Sequence, residues 1–273
     1  MFVKKLYFCA MLKKGLFYLL LIGLFALSNG CKNYTKILKS ANNDLKYETG
    51  IDLYEKGDFT RALQFFDLLR SIHRGTEKGE ILTYYTANCY FQLKDYDIAS
   101  YYFKQYQQMY PRGKHAEEAS FLSAYCQYLD SPRPELDQTS TYTALSELQM
   151  FIDKFPKSDK VKEANRLMDE LRHKLEQKDY NIAMLYYNMG DYQAAITSFE
   201  NLLDDYPDTD YREEILYYTT KAYFDYAEKS IYKKKKERYE KTVEAYNNLK
   251  YLFPDSKHLK ELEMYNIKAR KHL

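Results

Sequence analysis

A short pattern recurs along this chain and leaves it few ways to fold. Asp58-Phe59 is followed by Ala62 and Phe66, Asp95-Tyr96 by Ala99 and Phe103, and Asp191-Tyr192 by Ala195 and Phe199. In each copy a turn precedes an aromatic, a small residue stands three positions on, and a second aromatic stands four beyond that. Steps of three and four place side chains on one face of a helix. A second pattern closes the copies: Tyr110-Pro111-Arg112-Gly113, Phe155-Pro156-Lys157-Ser158, Tyr206-Pro207-Asp208-Thr209 and Phe253-Pro254-Asp255-Ser256. Proline stops a helix because it lacks the donor and its ring crowds the preceding turn. A small residue two positions later suits the start of the next helix. Together the two patterns predict a string of paired helices joined by tight turns.

These residues resemble the tetratricopeptide repeat, a helix pair in which small residues allow close approach and an aromatic fills the space to the next pair. The second repeat carries Ala87, Tyr90, Ala99, Phe103 and Pro111, and the fourth Ala183, Tyr186, Ala195, Phe199 and Pro207. The first has Gly50, Leu53, Ala62 and Phe66, with Arg74 where proline belongs. The third has Ala124, Ala144, Leu148 and Pro156, its helices separated by extra residues that include Pro132 and Pro134. The fifth has Thr242, Tyr246, Leu249 and Pro254, with a lysine-rich insertion before its second helix. Residues 159–188 contain no glycine or proline, and Val161, Ala164, Leu167, Leu171 and Leu175 recur at helical spacing, which predicts one long helix. The expected fold is all-α: a tetratricopeptide-type helix-pair solenoid of about five repeats, with a long helix joining repeats 3 and 4. Repeats 1–3 occupy 44–158; the long helix and repeats 4–5 occupy 159–273.

Composition agrees with this. Nine glycines and six prolines are too few for an all-β protein or one built on nucleotide-binding loops. The 31 tyrosines each need a wet or hydrogen-bonded hydroxyl, which thin helical layers supply better than a deep core. The formal net charge is +2, yet residues 1–30 hold four lysines and no acid, which leaves 37 basic against 39 acidic residues beyond them. That balance gives no global footprint for nucleic acid.

The N-terminus reads as a secretory signal, starting at Met1 or at Met11. Lys13 and Lys14 precede a 13-residue apolar run from Gly15 to Leu27, too short to span a bilayer comfortably. Leu27-Ser28-Asn29-Gly30-Cys31 resembles the lipobox of bacterial lipoproteins. The resemblance implies a signal peptide over 1–30, acylation of Cys31 and a linker over 31–43. Lys32 after the cysteine implies sorting to the outer membrane.

The lipobox, the five repeats and the aromatic-Pro-x-Ser/Thr tails together resemble the BamD family, lipoproteins of the β-barrel assembly machinery, over roughly 45–260. The resemblance implies a periplasmic scaffold lipid-anchored to the outer membrane. Its C-terminal repeats would dock on the POTRA domains of BamA, alongside other Bam components. Its N-terminal repeats would take the β-signals of unfolded outer-membrane β-barrel proteins. The alternative is another periplasmic tetratricopeptide lipoprotein, such as a coordinator of cell-wall synthesis or a secretion pilotin. His73, His115, His173, His258 and His272 form no metal spacing, there is no Cys-x-x-Cys, and no nucleophile-elbow or Walker motif occurs. Neither an enzyme nor a cofactor is expected.

In such arrays the first helices line the binding face. Counting along this sequence puts Tyr47, Ile51 and Tyr54, then Tyr84, Asn88 and Phe91, then Phe121, Tyr125 and Tyr128 on that face. An aromatic strip suits an extended peptide with alternating apolar residues, because rings give contact area at low entropy cost. Packing of the same rings inside the repeats is the competing reading. Lys233, Lys234, Lys235 and Lys236 concentrate positive charge that suits an acidic partner surface or anionic headgroups, or forms a solvated loop or helix end. Cys89 and Cys126 sit in apolar helical patterns without disulfide-framework spacing; free buried thiols are expected, a disulfide being the other possibility.

Overall fold

The computed structural model describes residues 34–273. The signal-like segment 1–30 and Cys31 lie outside the described residues. After a short helical turn at 34–38, helices follow in pairs. The first repeat is α1 (Asn43–Glu55) and α2 (Phe59–Arg70), the second α3 (Glu77–Gln92) and α4 (Tyr96–Met109), the third α5 (Ala116–Asp130) and α6 (Thr139–Lys154). The long helix is α7 (Val161–Met189), and its last turns pair with α8 (Tyr192–Asp205) as the fourth repeat. The fifth is α9 (Arg212–Glu228) with α10 (Tyr232–Leu252), and α11 (Leu259–Arg270) closes the array. The all-α helix-pair organisation read from the repeats is the one observed. The lysine-rich insertion is not a loop: Lys233–Lys236 extend α10 at its start, as a run without glycine or proline and rich in a good helix former should.

The chain forms two compact units. One reaches Asp130 and takes in Ser146–Val161; the other comprises Ser131–Leu145 and Lys162–Leu273. In the first, Ala62, Phe66 and Leu69 pack on Leu82 and Cys89. Ala99, Phe103 and Tyr106 do the same against Tyr84, Ala119 and Cys126. In the second, Ala195, Phe199 and Leu202 meet Ala183 and Ile215, and Tyr246 and Leu249 meet Leu216 and Leu262. Each small residue is fully buried, so the paired helix lies close enough for the aromatic one turn later to be buried too. Each buried phenylalanine contributes about 1.5–3 kcal/mol of apolar burial. Cys89 and Cys126 are free and buried, and burial pushes both thiols up to about 12.

Both recurring patterns are helix ends. In the turns within repeats 1, 2 and 4, Asp58, Asp95 and Asp191 donate N–H to the carbonyls of Leu53, Tyr90 and Tyr186, five residues back. Gly57, Lys94 and Gly190 before them have φ of 77°, 62° and 78°. This is the Schellman ending, which needs a left-handed residue and so favours glycine. Lys94 alone fills it with a side chain. Lys94→Gly is expected to stabilise the chain by about 0.5–1 kcal/mol, since relief of the left-handed conformation outweighs the added freedom of the unfolded chain. A lowered midpoint in urea would show that this lysine carries no strain.

The aromatic-proline tails repeat one backbone geometry four times. The aromatic N–H donates to the carbonyl four residues back at 2.8–2.9 Å, and the small residue's N–H donates to the aromatic carbonyl at 2.9–3.1 Å. Ser158, Thr209 and Ser256 then accept, through their hydroxyls, the N–H of the residue two further on, at 3.0–3.1 Å. Gly113 has no hydroxyl, and the Tyr106 Oη takes over: His115 N donates to it at 3.0 Å. The third-repeat insertion is fastened within the second unit. Lys174 Nζ reaches the Ser131 hydroxyl at 2.7 Å, Lys178 Nζ reaches the Leu136 carbonyl at 2.6 Å, and buried Gln138 donates to the Arg133 carbonyl at 2.9 Å.

Candidate peptide-binding face

The first helices of the repeats carry an aromatic three residues before their small packing residue: Tyr84 before Ala87, Phe121 before Ala124, Tyr180 before Ala183 and Tyr217 before Thr220. Each is covered by the residue five beyond the aromatic of the next tail. His115 stacks on Tyr84 with centroids 3.9 Å apart, Tyr211 on Tyr180 at 4.7 Å and His258 on Tyr217 at 4.1 Å. Lys160 Nζ sits 5.0 Å from the centre of the Phe121 ring. In the first repeat, which lacks the tail proline, His73 and Lys78 approach Tyr47 instead, at 6.4 and 5.1 Å. The start of one repeat therefore roofs an aromatic of the repeat before it.

This roof divides the nine residues expected on the binding face. Tyr84, Asn88 and Phe121 are 6–8% exposed and belong to the packing between repeats. Tyr84 also meets Phe103 and Tyr106 edge-on, and burial raises its hydroxyl above the ordinary tyrosine range. Asn88 spends its amide on the Tyr84 carbonyl at 3.3 Å. None of the three offers a free surface to a peptide. The other six are half-buried. Tyr54 stacks on Tyr85 at 4.1 Å and burial pushes its hydroxyl up to about 12; Ile51 packs beside it.

The remaining rings form one row. Phe121, Tyr125 and Tyr128 stack in sequence along α5, at 5.9 and 5.7 Å with rings 11° from parallel, and Phe91 of α3 lies 6.2 Å from Tyr125. Phe91, Tyr125 and Tyr128 are thus partly open rings, with Tyr125 stacked on the buried Phe121 and flanked by the other two. Such a ledge offers flat apolar contact beside tyrosine hydroxyls, which fits an apolar or aromatic side chain of an extended segment. Sequence reasoning missed Tyr85 and the roofing residues His115, Lys160, Tyr211 and His258. Their constant spacing after the four tails was the available signal. Lys233, Lys234 and Lys236 are exposed and Lys235 is half-buried in the first turns of α10.

Paired helices roofed repeat upon repeat, with a ledge of rings on the first helices, define a tetratricopeptide-type helical scaffold. The chain belongs to the YfiO family of outer membrane lipoproteins, whose profile matches residues 40–237. It is similar to the outer membrane protein assembly factor BamD of Caulobacter vibrioides, 23% identical over 192 residues, 70% of this chain and 63% of that protein. It is also similar to that of Rickettsia prowazekii, 26% identical over 218 residues, 78% of this chain and 84% of that protein. The putative BamD of Aquifex aeolicus is 28% identical over 201 residues, 72% of this chain and 65% of that protein. The chain therefore spans slightly under two thirds of the Caulobacter and Aquifex proteins. Among solved structures, a Podosopora anserina putative kinesin light chain with tetratricopeptide-like repeats is 12% identical, covering 77% of this chain and 95% of that one, with a TM-score of 0.32.

Proposed function

We propose that this protein is a scaffold of outer-membrane protein assembly, anchored through an acylated Cys31 to the periplasmic face of the outer membrane. Its family membership, with relatives named as outer membrane protein assembly factors, supports the role. The observation that carries the mechanism is the ledge of Phe91, Tyr125 and Tyr128, partly open, with Tyr125 stacked on the buried Phe121 and flanked by the other two. Rings already held by neighbours lose little entropy on contact, so a transient apolar segment can be gripped and released. The ligand is the β-signal of an unfolded outer-membrane β-barrel protein, an extended strand ending in an aromatic. The C-terminal repeats dock on the POTRA domains of BamA.

Tyr125→Ala combined with Tyr128→Ala is expected to weaken binding of a β-signal peptide by about tenfold or more, with helicity retained. Fluorescence anisotropy of a labelled peptide reads this directly; unchanged affinity in a folded double variant refutes the ledge. Pull-down from a native membrane fraction reads the partner: BamA supports the scaffold role, whereas peptidoglycan synthases in its place refute it.

A further inference from the structure

The second unit has one edge unlike the rest of the chain. Its first helices run parallel, as the contacts show: Tyr180 meets Tyr211 and Tyr187 meets Tyr218, while Tyr217 meets His258 and Phe224 meets Tyr265. The C-terminal ends of α7, α9 and α11 therefore share one edge. Contacts tie it together: Lys229 Nζ lies 4.6 Å from the Tyr192 ring, and His272 stacks on Tyr239 at 4.5 Å.

Two properties coincide there. The first is charge. Residues 228–241 hold seven basic and three acidic side chains, and 268–272 add Lys268, Arg270 and Lys271 with no acid, whereas the rest of the chain holds 31 basic against 36 acidic residues. Lys234 pairs with Glu237 at 3.0 Å; Lys233, Lys235 and Lys236 make no ion pair among the described residues. The second is exposed apolar surface at the tips. Ile231 is 71% exposed, Tyr232 92% and Met189 71%. Isolated apolar tips projecting beside flexible lysines differ from a pocket built for one partner side chain.

From this we infer that the edge formed by Met189, Ile231, Tyr232 and Lys233–Lys236 rests on an anionic phospholipid surface. Lysines at such a surface are held by its negative potential. Ile231 and Tyr232 enter the headgroup layer, where a tyrosine keeps its hydroxyl wet and its ring apolar. An acidic protein would use the lysines but would leave these tips without a matching cavity. This inference rests on the proposed anchoring to the outer membrane, which sets the chain beside such a surface. The contact would fix how the second unit stands on the membrane, a task that a single attachment point at the N-terminus cannot perform alone.

The chain has no tryptophan, so Tyr232→Trp introduces a single indole reporter. The full protein, purified from membranes, is reconstituted into phosphatidylethanolamine vesicles with or without phosphatidylglycerol, the acyl chains brominated to quench a nearby indole. Flotation with the vesicles reports the Cys31 anchor separately, so loss of that anchor is distinguishable from loss of the edge contact. Quenching is expected to rise several-fold when phosphatidylglycerol is present. It should fall back when Lys233, Lys234, Lys235 and Lys236, three of them exposed and Lys235 half-buried, are all replaced by glutamine, with the circular dichroism unchanged. Quenching that ignores phosphatidylglycerol overturns the inference in protein that floats. So does a four-glutamine variant that stays equally quenched while losing a partner in pull-down, since the lysines then serve a protein.

Discussion

Gly79→Ala is expected to lower the unfolding free energy by about 2 kcal/mol, against the usual gain of about 1 kcal/mol when alanine replaces glycine inside a helix. The reversal comes from the first repeat boundary, where Arg74 stands in place of the tail proline. The chain there turns on the His73 carbonyl, which accepts from Thr76 N at 3.0 Å and from the Thr76 hydroxyl at 2.7 Å; Thr76 Oγ1 then caps α3 by accepting Gly79 N at 3.2 Å. This wraps the His73 carbonyl over the first turn of α3. A Cβ on Gly79 would lie 2.0 Å from that oxygen and 2.9 Å from the Tyr110 hydroxyl, which itself accepts Gly75 N at 3.1 Å. The nearest obstacle is backbone, so a side chain cannot swing aside to relieve it. The cap and the turn must open together. Equilibrium urea unfolding measures the change; a variant as stable as the parent, or more so, would show that the loop moves away freely.

The organisation of the fold was legible because the tetratricopeptide pattern concerns contacts within a pair and between neighbouring pairs. Ala62 with Phe66, Ala99 with Phe103 and Ala195 with Phe199 are spaced for one helix face, and burial follows from that spacing alone. The long α7 was legible for the same reason, its apolar steps unbroken by glycine or proline. The binding face was legible only in part. Whether Tyr84 or Phe121 is open depends on what lies over it, and that group belongs to the following repeat, 31 to 39 residues away. The amphipathic rings fit core and surface equally well, so periodicity could not choose between them. A further device was hidden in the same way. Glu80 and Glu117 look like solvated first-turn acids, yet Glu80 accepts from Lys114 N at 2.8 Å and Glu117 from the Ser158 hydroxyl at 2.6 Å, each binding the tail of its own repeat.

The coupling at the second tail gives the sharpest test of this reading. The other three tails carry Ser158, Thr209 and Ser256, so repeat-to-repeat comparison recommends Gly113→Ser as a stabilising change. The structure predicts the opposite. A Cβ at Gly113 would lie 2.5 Å from both Glu80 Oε1 and Tyr106 Oη, the pair already joined at 2.6 Å. Tyr106 is fully buried and its ring has no room to retreat. Gly113→Ser alone should therefore cost about 1–3 kcal/mol. Tyr106→Phe alone should cost about 1–2 kcal/mol, because His115 N–H and Glu80 each lose the hydroxyl that serves them. The tails with serine or threonine have Phe151, Leu202 or Leu249 at the place of Tyr106, residues without a hydroxyl. In the double variant the new serine hydroxyl would be free to take His115 N–H just as Ser256 takes His258 N–H, and the phenylalanine would leave space for it. The two costs should then fail to add, leaving the double variant about 1–3 kcal/mol more stable than their sum. A double-mutant cycle in urea measures that difference. Simple additivity would mean that the Tyr106 hydroxyl and the tail hydroxyl are not alternative solutions to one hydrogen-bonding need.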